Sequence, residues 1–193
     1  MRVIAGSFRS RSLQAPAGLA TRPTSDRLRE TLFNVLAPRI QGARFLDLYA
    51  GSGAVGIEAL SRGAAEVVFV ERAAAALKVL RANLARLELK QGLRIAPGSV
   101  AGFLHKPDAG LRFDLVFLDP PYDAADEYAS VLGLLGGPAS GVLGDGALVI
   151  AEHRQKEKLE DAYGELQRMR LLQQGDAALS FYAAGETDGE GGE

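Results

Sequence analysis

The residues best suited to chemistry in this chain are Asp119, Pro120, Pro121 and Tyr122, which follow the apolar run 113–118. Two consecutive prolines prevent helix continuation and hold the backbone extended. They leave the Asp119 carboxylate and the Pro120 carbonyl as two preset acceptors. A conjugated exocyclic amine offers two N–H donors, but its lone pair is delocalised and poorly nucleophilic. Accepting both hydrogens favours a pyramidal nitrogen and aims the lone pair at an electrophile, an effect of positioning and preorganised electrostatics. No strong base is needed before attack, because the proton turns acidic only as the new bond forms. Tyr122 adds an aromatic plane on which a splayed-out base can stack, worth ~1–3 kcal/mol.

A second constellation lies upstream. DLYAGSGAVG places Gly51, Gly53 and Gly56 as G-x-G-x-x-G between an apolar strand pattern and a helical one. Glycines let the chain turn tightly and approach a ligand closely. Glu71 ends the next strand pattern, 20 residues after Gly51, where a carboxylate can accept both hydroxyls of a ribose. The glycines alone fit NAD, FAD and S-adenosylmethionine equally. Asp47 separates them: a carboxylate at the turn attracts a sulfonium and an ammonium but repels a pyrophosphate. Within 193 residues there is also no room for a second, hydride-accepting domain. The plainer readings are a turn-capping carboxylate for Asp47 and a tight strand–helix corner for the glycines.

Holding these residues requires one strand that carries Asp47 and another that ends at Asp119. From Arg44 the chain alternates: RFLDLY, EVVFVE, LRIAP, FDLVFLD and GALVIAEH read as strands, and LQRMRLLQQ with ALSFYAA as a closing antiparallel pair. Helices are predicted after the glycine turn, over AAAALKVLRANLARLEL, over 99–105 and over 124–135. This order implies an α/β, Rossmann-like doubly wound sheet with right-handed crossovers. Before Arg44, VIAGSF and RSLQAP read as a short β-hairpin turning around 9–12. A helix follows, capped by Thr24 or Ser25, with Leu28, Leu32, Val35 and Leu36 on one face, and ended by Pro38 and Gly42. The expected organisation is an arm over 1–43, a catalytic domain over 44–184 and a disordered acidic tail over 185–193.

Composition narrows the class. There is no cysteine, which excludes disulfides, thiolate zinc sites and cysteine nucleophiles. Only His105 and His153 could offer imidazole; each reads as structural, and no metal is expected. Nothing reads as a membrane span or a signal peptide, so a cytoplasmic location is expected, and a monomer. The formal charge of −2 conceals an asymmetry. Residues 1–44 carry eight arginines against Asp26 and Glu30, a local +6, whereas 183–193 carry four acids and no cation. Arginine's planar fork suits phosphate, so the arm reads as an anion-binding segment or a solvated surface.

The Asp-Pro-Pro-Tyr motif together with the glycine turn resembles the S-adenosylmethionine-dependent amino methyltransferases. More narrowly, MRVIAGSFRSRSLQAP, TRPTSDRLRETLFNVL and FLDLYAGSGAVGIEALSRGA resemble the RsmD family, bacterial enzymes that methylate guanine N2 in small-subunit 16S ribosomal RNA. The resemblance covers 1–184. It implies a seven-stranded methyltransferase sheet with an arm that helps hold RNA, S-adenosylmethionine as cofactor, and ribosomal RNA, in an assembled or assembling small subunit, as partner. It further implies that Asp47, Tyr49, Gly51, Ser52 and Gly53 line the methionine end of the cofactor site and Glu71 and Arg72 the ribose. Asp119, Pro120 and Tyr122 hold the guanine, with Asp119 also facing the cofactor. Arg9, Arg11, Arg22 and Thr24 lie toward RNA. Where the family usually has an acidic residue near the adenine, this chain has Ser99-Val100, leaving the Ser99 hydroxyl for that contact. Alternatives are methylation of DNA adenine or protein glutamine, and a nonenzymatic RNA-binding module.

Overall fold

The computed structural model describes residues 1–15, 26–106, 110–121 and 125–184. The candidate residues Arg22, Thr24 and Tyr122, the cap candidate Ser25 and the tail 185–193 lie outside the described residues.

Among the described residues eight strands form one sheet: β1 Arg44–Leu48, β2 Glu66–Glu71, β3 Leu93–Pro97, β4 Phe113–Leu118, β5 Leu143–Arg154, β6 Ala162–Tyr163, β7 Leu166–Gln174 and β8 Ala177–Ala184, in the order β3-β2-β1-β4-β5-β8-β7-β6. Pairing is parallel from β3 through β5 and antiparallel beyond it. Five helices accompany the sheet among the described residues: α1 Asp26–Ile40, α2 Ala54–Ser61, α3 Ala74–Arg86, α4 Val100–His105 and α5 Ala125–Leu135. The expected count is seven strands. The eighth, β6, is a two-residue strand that turns back onto β7 through Gly164 at φ 59. Two residues show no alternation for a sequence pattern to reveal.

The central strands β1, β2 and β4 are largely apolar because both of their faces are covered. Phe45, Val67, Phe69, Leu115 and Phe117 pack with α1, α2 and α3 on one face. Leu46, Leu48, Val68, Val70, Val116 and Leu118 pack with α4 and α5 on the other. Helix α1 runs past Pro38 to Ile40, and Gly42 at φ 76 turns the chain into β1. A proline in the last turn forfeits one backbone bond while its fixed φ suits the helix.

The arm departs from its expected form. Instead of two strands turning around 9–12, a single antiparallel bridge joins Arg2 to Ser12, and residues 5–10 make the turn. Val3 and Leu13 still donate across the arm, to the Arg11 and Met1 carbonyls (3.0 Å each), but other N–H groups are taken by α2: the Glu58 carboxylate accepts from Ile4 (2.8 Å) and Ala5 (3.0 Å), and Ser61 Oγ accepts from Phe8 (2.9 Å). Gly6 lies so close to Ser61 that a Cβ there would stand 1.8 Å from its carbonyl oxygen. Arg29 of α1, fully buried, completes the junction by donating to the Asp26 carboxylate (2.9 Å) and to the Arg2 carbonyl, with its Nε 3.9 Å from Glu58. The arm is therefore docked on α1 and α2 through buried charge.

Candidate active site

In this strand order the chain leaves β1 toward one edge of the sheet and continues from β4 toward the other. Crevices form at the carboxyl ends of strands at such a reversal. The register pairs Leu48 with Leu118, so the glycine turn after β1 and the Asp119 turn after β4 emerge side by side. Between them lies a cavity of about 580 Å³, within the range of a small-molecule site.

Asp47 sits near the end of β1, buried, with Oδ2 accepting the Gly56 N–H at 2.9 Å. Burial pushes its carboxyl up to about 7, the Gly56 N–H opposes that, and nearby Glu71 adds to it. The residue both holds the start of α2 and faces the cavity. The three glycines divide the work of the turn. Gly51, at φ 56, donates its N–H to Glu71 Oε2 at 2.8 Å. Gly53, at φ 80, packs behind the turn, where a Cβ would stand 2.3 Å from Leu80 Cδ1. Gly56 lets α2 close on β2, since a Cβ there would stand 2.3 Å from the Phe69 ring. Gly51 and Ser52 line the cavity, and Gly53 shapes the turn that carries them.

Glu71 also accepts the Ala73 N–H on Oε1 at 2.7 Å. Each of its oxygens keeps a lone pair for a further donor. Tyr49, Ser52, Arg72, Ser99 and Val100 line the same cavity. Ser99 caps α4, its Oγ accepting the Gly102 N–H at 3.1 Å, and its hydroxyl proton is left to donate. Asp119, Pro120 and Pro121 form the wall beside β4. Burial pushes the Asp119 carboxyl well above the usual carboxylate range, and the charges of Glu152 and Asp47 push it the same way.

Several wall residues carry no sequence signal. Tyr49 donates its hydroxyl to Glu127 in the first turn of α5, where an acid reads as ordinary helix-dipole pairing. Met1 and Ala15 reach the cavity from the arm. Glu152, buried near the end of β5 and not part of the cavity wall, acts on Asp119 through its charge; in sequence it looks like one more strand residue. Arg9 and Arg11 lie on the exposed side of the arm, outside the cavity. His153 is buried between β5 and β8 against Ser180 Oγ (2.9 Å), and His105 is exposed in the last turn of α4. Neither histidine lines the cavity.

A model of the family described as "conserved hypothetical protein 95" matches residues 1–183. The chain is 36% identical to ribosomal RNA small subunit methyltransferase D of Escherichia coli K12, over 98% of this chain and 94% of that one. The chain belongs to the RsmD family of ribosomal RNA methyltransferases.

Other relatives agree with this placement. Methyltransferase D of Haemophilus influenzae is 41% identical over 68% of this chain and 70% of its own. Among solved structures, the yhhF protein of E. coli superposes with a TM-score of 0.83 at 35% identity, covering 95% of this chain and 97% of that one. A hypothetical protein of Thermus thermophilus superposes with a TM-score of 0.78, also at 35% identity, covering 94% and 98%. In this RsmD-family chain the glycine turn and the Asp119-Pro120 turn thus share one cavity within a methyltransferase fold.

Proposed function

We propose that this chain transfers a methyl group from S-adenosylmethionine to the exocyclic N2 amine of a guanine in small-subunit ribosomal RNA. The observation that carries the reading is the convergence of Asp47, Glu71, Asp119 and Pro120 on one cavity at the carboxyl ends of β1, β2 and β4. Its chemistry suits the cofactor. A buried carboxylate with a raised pKa is stabilised by a cation, and Asp47 faces where a sulfonium or ammonium would lie. Glu71 retains lone pairs for ribose hydroxyls, and Ser99 a proton for the adenine. S-adenosylmethionine, when bound, supplies an electrophilic methyl group.

The chain's own residues supply orientation. Asp119 and the Pro120 carbonyl accept the two hydrogens of the amine, and Tyr122 offers its ring to the base. As the nitrogen becomes cationic, the Asp119 carboxylate stabilises the developing charge and can take the departing proton. The family resemblance assigns Arg22 and Thr24 to the RNA, and Arg9 and Arg11 meet phosphates of the same RNA.

Calorimetric titration with S-adenosylmethionine and, separately, with NADH tests the reading. Binding of S-adenosylmethionine without NADH is expected; binding of NADH alone would overturn it.

A further inference from the structure

One buried amide links the arm to the cofactor turn. Asn83 lies on the inward face of α3 beside Leu80 and Leu84, fully buried. Its Oδ1 accepts the Gln14 N–H at 2.8 Å, and its Nδ2 donates to the Gln14 carbonyl at 3.0 Å and to the Ser52 carbonyl at 2.9 Å. A buried primary amide is costly unless paired, and among the described residues its pairings go to the arm and to the glycine turn. Ser52 lines the cavity, and so does Ala15, the residue after Gln14. One side chain therefore fixes two parts of the cavity wall against each other, one of them from the segment that bears Arg9 and Arg11.

We infer that Asn83 is a positioning residue that clamps the arm to the glycine turn, so that the arm completes the cofactor cavity and cofactor binding is coupled to RNA held on the arm. This rests on the methyltransferase reading. A merely structural amide would set stability alone. A clamp sets affinity for whatever fills the cavity, and by linkage each ligand must favour the other by the same factor.

The test is calorimetric titration with S-adenosylhomocysteine, at a temperature where circular dichroism shows each variant folded. Gln14→Pro removes the N–H that Asn83 accepts, while Gln14→Ala keeps it and deletes only an exposed side chain. Gln14→Pro and Asn83→Ala should weaken binding by roughly five- to tenfold, the value of one or two hydrogen bonds, and Gln14→Ala should bind as the wild type does. Saturating S-adenosylhomocysteine should also tighten wild-type binding to small ribosomal particles, and Gln14→Pro should erase that gain. Wild-type affinity in both Gln14→Pro and Asn83→Ala, even with a lowered Tm, would overturn the clamp, as would wild-type particle binding that ignores S-adenosylhomocysteine. Wild-type protein that fails to bind S-adenosylhomocysteine at all would sink the underlying reading instead.

Discussion

Asp119 stands in the company of two other carboxyl groups, Glu152 and Asp47, and burial with that company raises its pKa. Only the ionised form accepts hydrogens on both oxygens, so turnover at saturating cofactor should fall as pH drops through the raised value. Asp119→Asn keeps one acceptor and cannot titrate; it should be slower, with a flattened pH profile. Asp119→Ala should lose roughly 10²-fold or more of methyl transfer, the scale of removing a preorganised electrostatic partner, while still binding S-adenosylhomocysteine. Retention of the wild-type rate would remove Asp119 from the mechanism. Asp47 makes a separate prediction. Its carboxyl rises from 3.8 to about 7 on folding, so between those values the native state holds a proton that the unfolded chain has released. Stability from this group therefore falls as pH rises through that window and stays low above it. Asp47→Asn should accordingly raise the Tm more at pH ~8 than at pH ~5, and it should weaken S-adenosylmethionine binding at both. A Tm that drops equally at the two pH values would contradict the assigned burial.

Gly56 shows how an element depends on a single missing atom. A Cβ there meets the Phe69 ring, so Gly56→Ala should lower stability by about 1–3 kcal/mol, the usual range for overpacking, and Phe69→Leu in the same chain should recover part of it. Thermal melts of the single and double variants decide this; additive losses would argue against the contact. Glu58 holds the arm and stands beside buried Arg29. Glu58→Ala removes the acceptor of the Ile4 and Ala5 N–H groups and leaves Arg29 with Asp26 as its remaining carboxylate partner, and should cost about 1–3 kcal/mol. The parallel half of the sheet is readable because each strand is a continuous apolar run closed by a turn signal. Asp47, Glu71 and Asp119 are readable because their spacing from glycines and prolines has a chemical meaning. Glu58, Asn83 and Glu127 are not. They act through partners far along the chain, and in sequence each is one polar residue in a helix. Gly53 fits the motif, and its packing against Leu80 fixes the turn that carries Gly51.

For the whole molecule, the net charge of −2 says little about the partner, because residues 1–44 carry a local +6. Arg9 and Arg11 are exposed on the docked arm. Replacing both with alanine should weaken RNA binding and reduce the slope of log affinity against log salt by roughly 1–2, one phosphate contact each. An unchanged slope would return the arm to an ordinary solvated surface. No described helix is long and apolar enough to cross a membrane. The proposed function joins all three scales: it requires one cavity to hold the methyl donor, one turn to present the amine and one arm to hold the RNA. The most direct measurement is incubation of small ribosomal particles from a strain lacking this activity with labelled S-adenosylmethionine, followed by mass-spectrometric mapping of the modified nucleotide. The account predicts label on the N2 amine of a guanine in small-subunit RNA, absent with Asp119→Ala. Label on an adenine, on protein or on DNA, or no label at all, would contradict it.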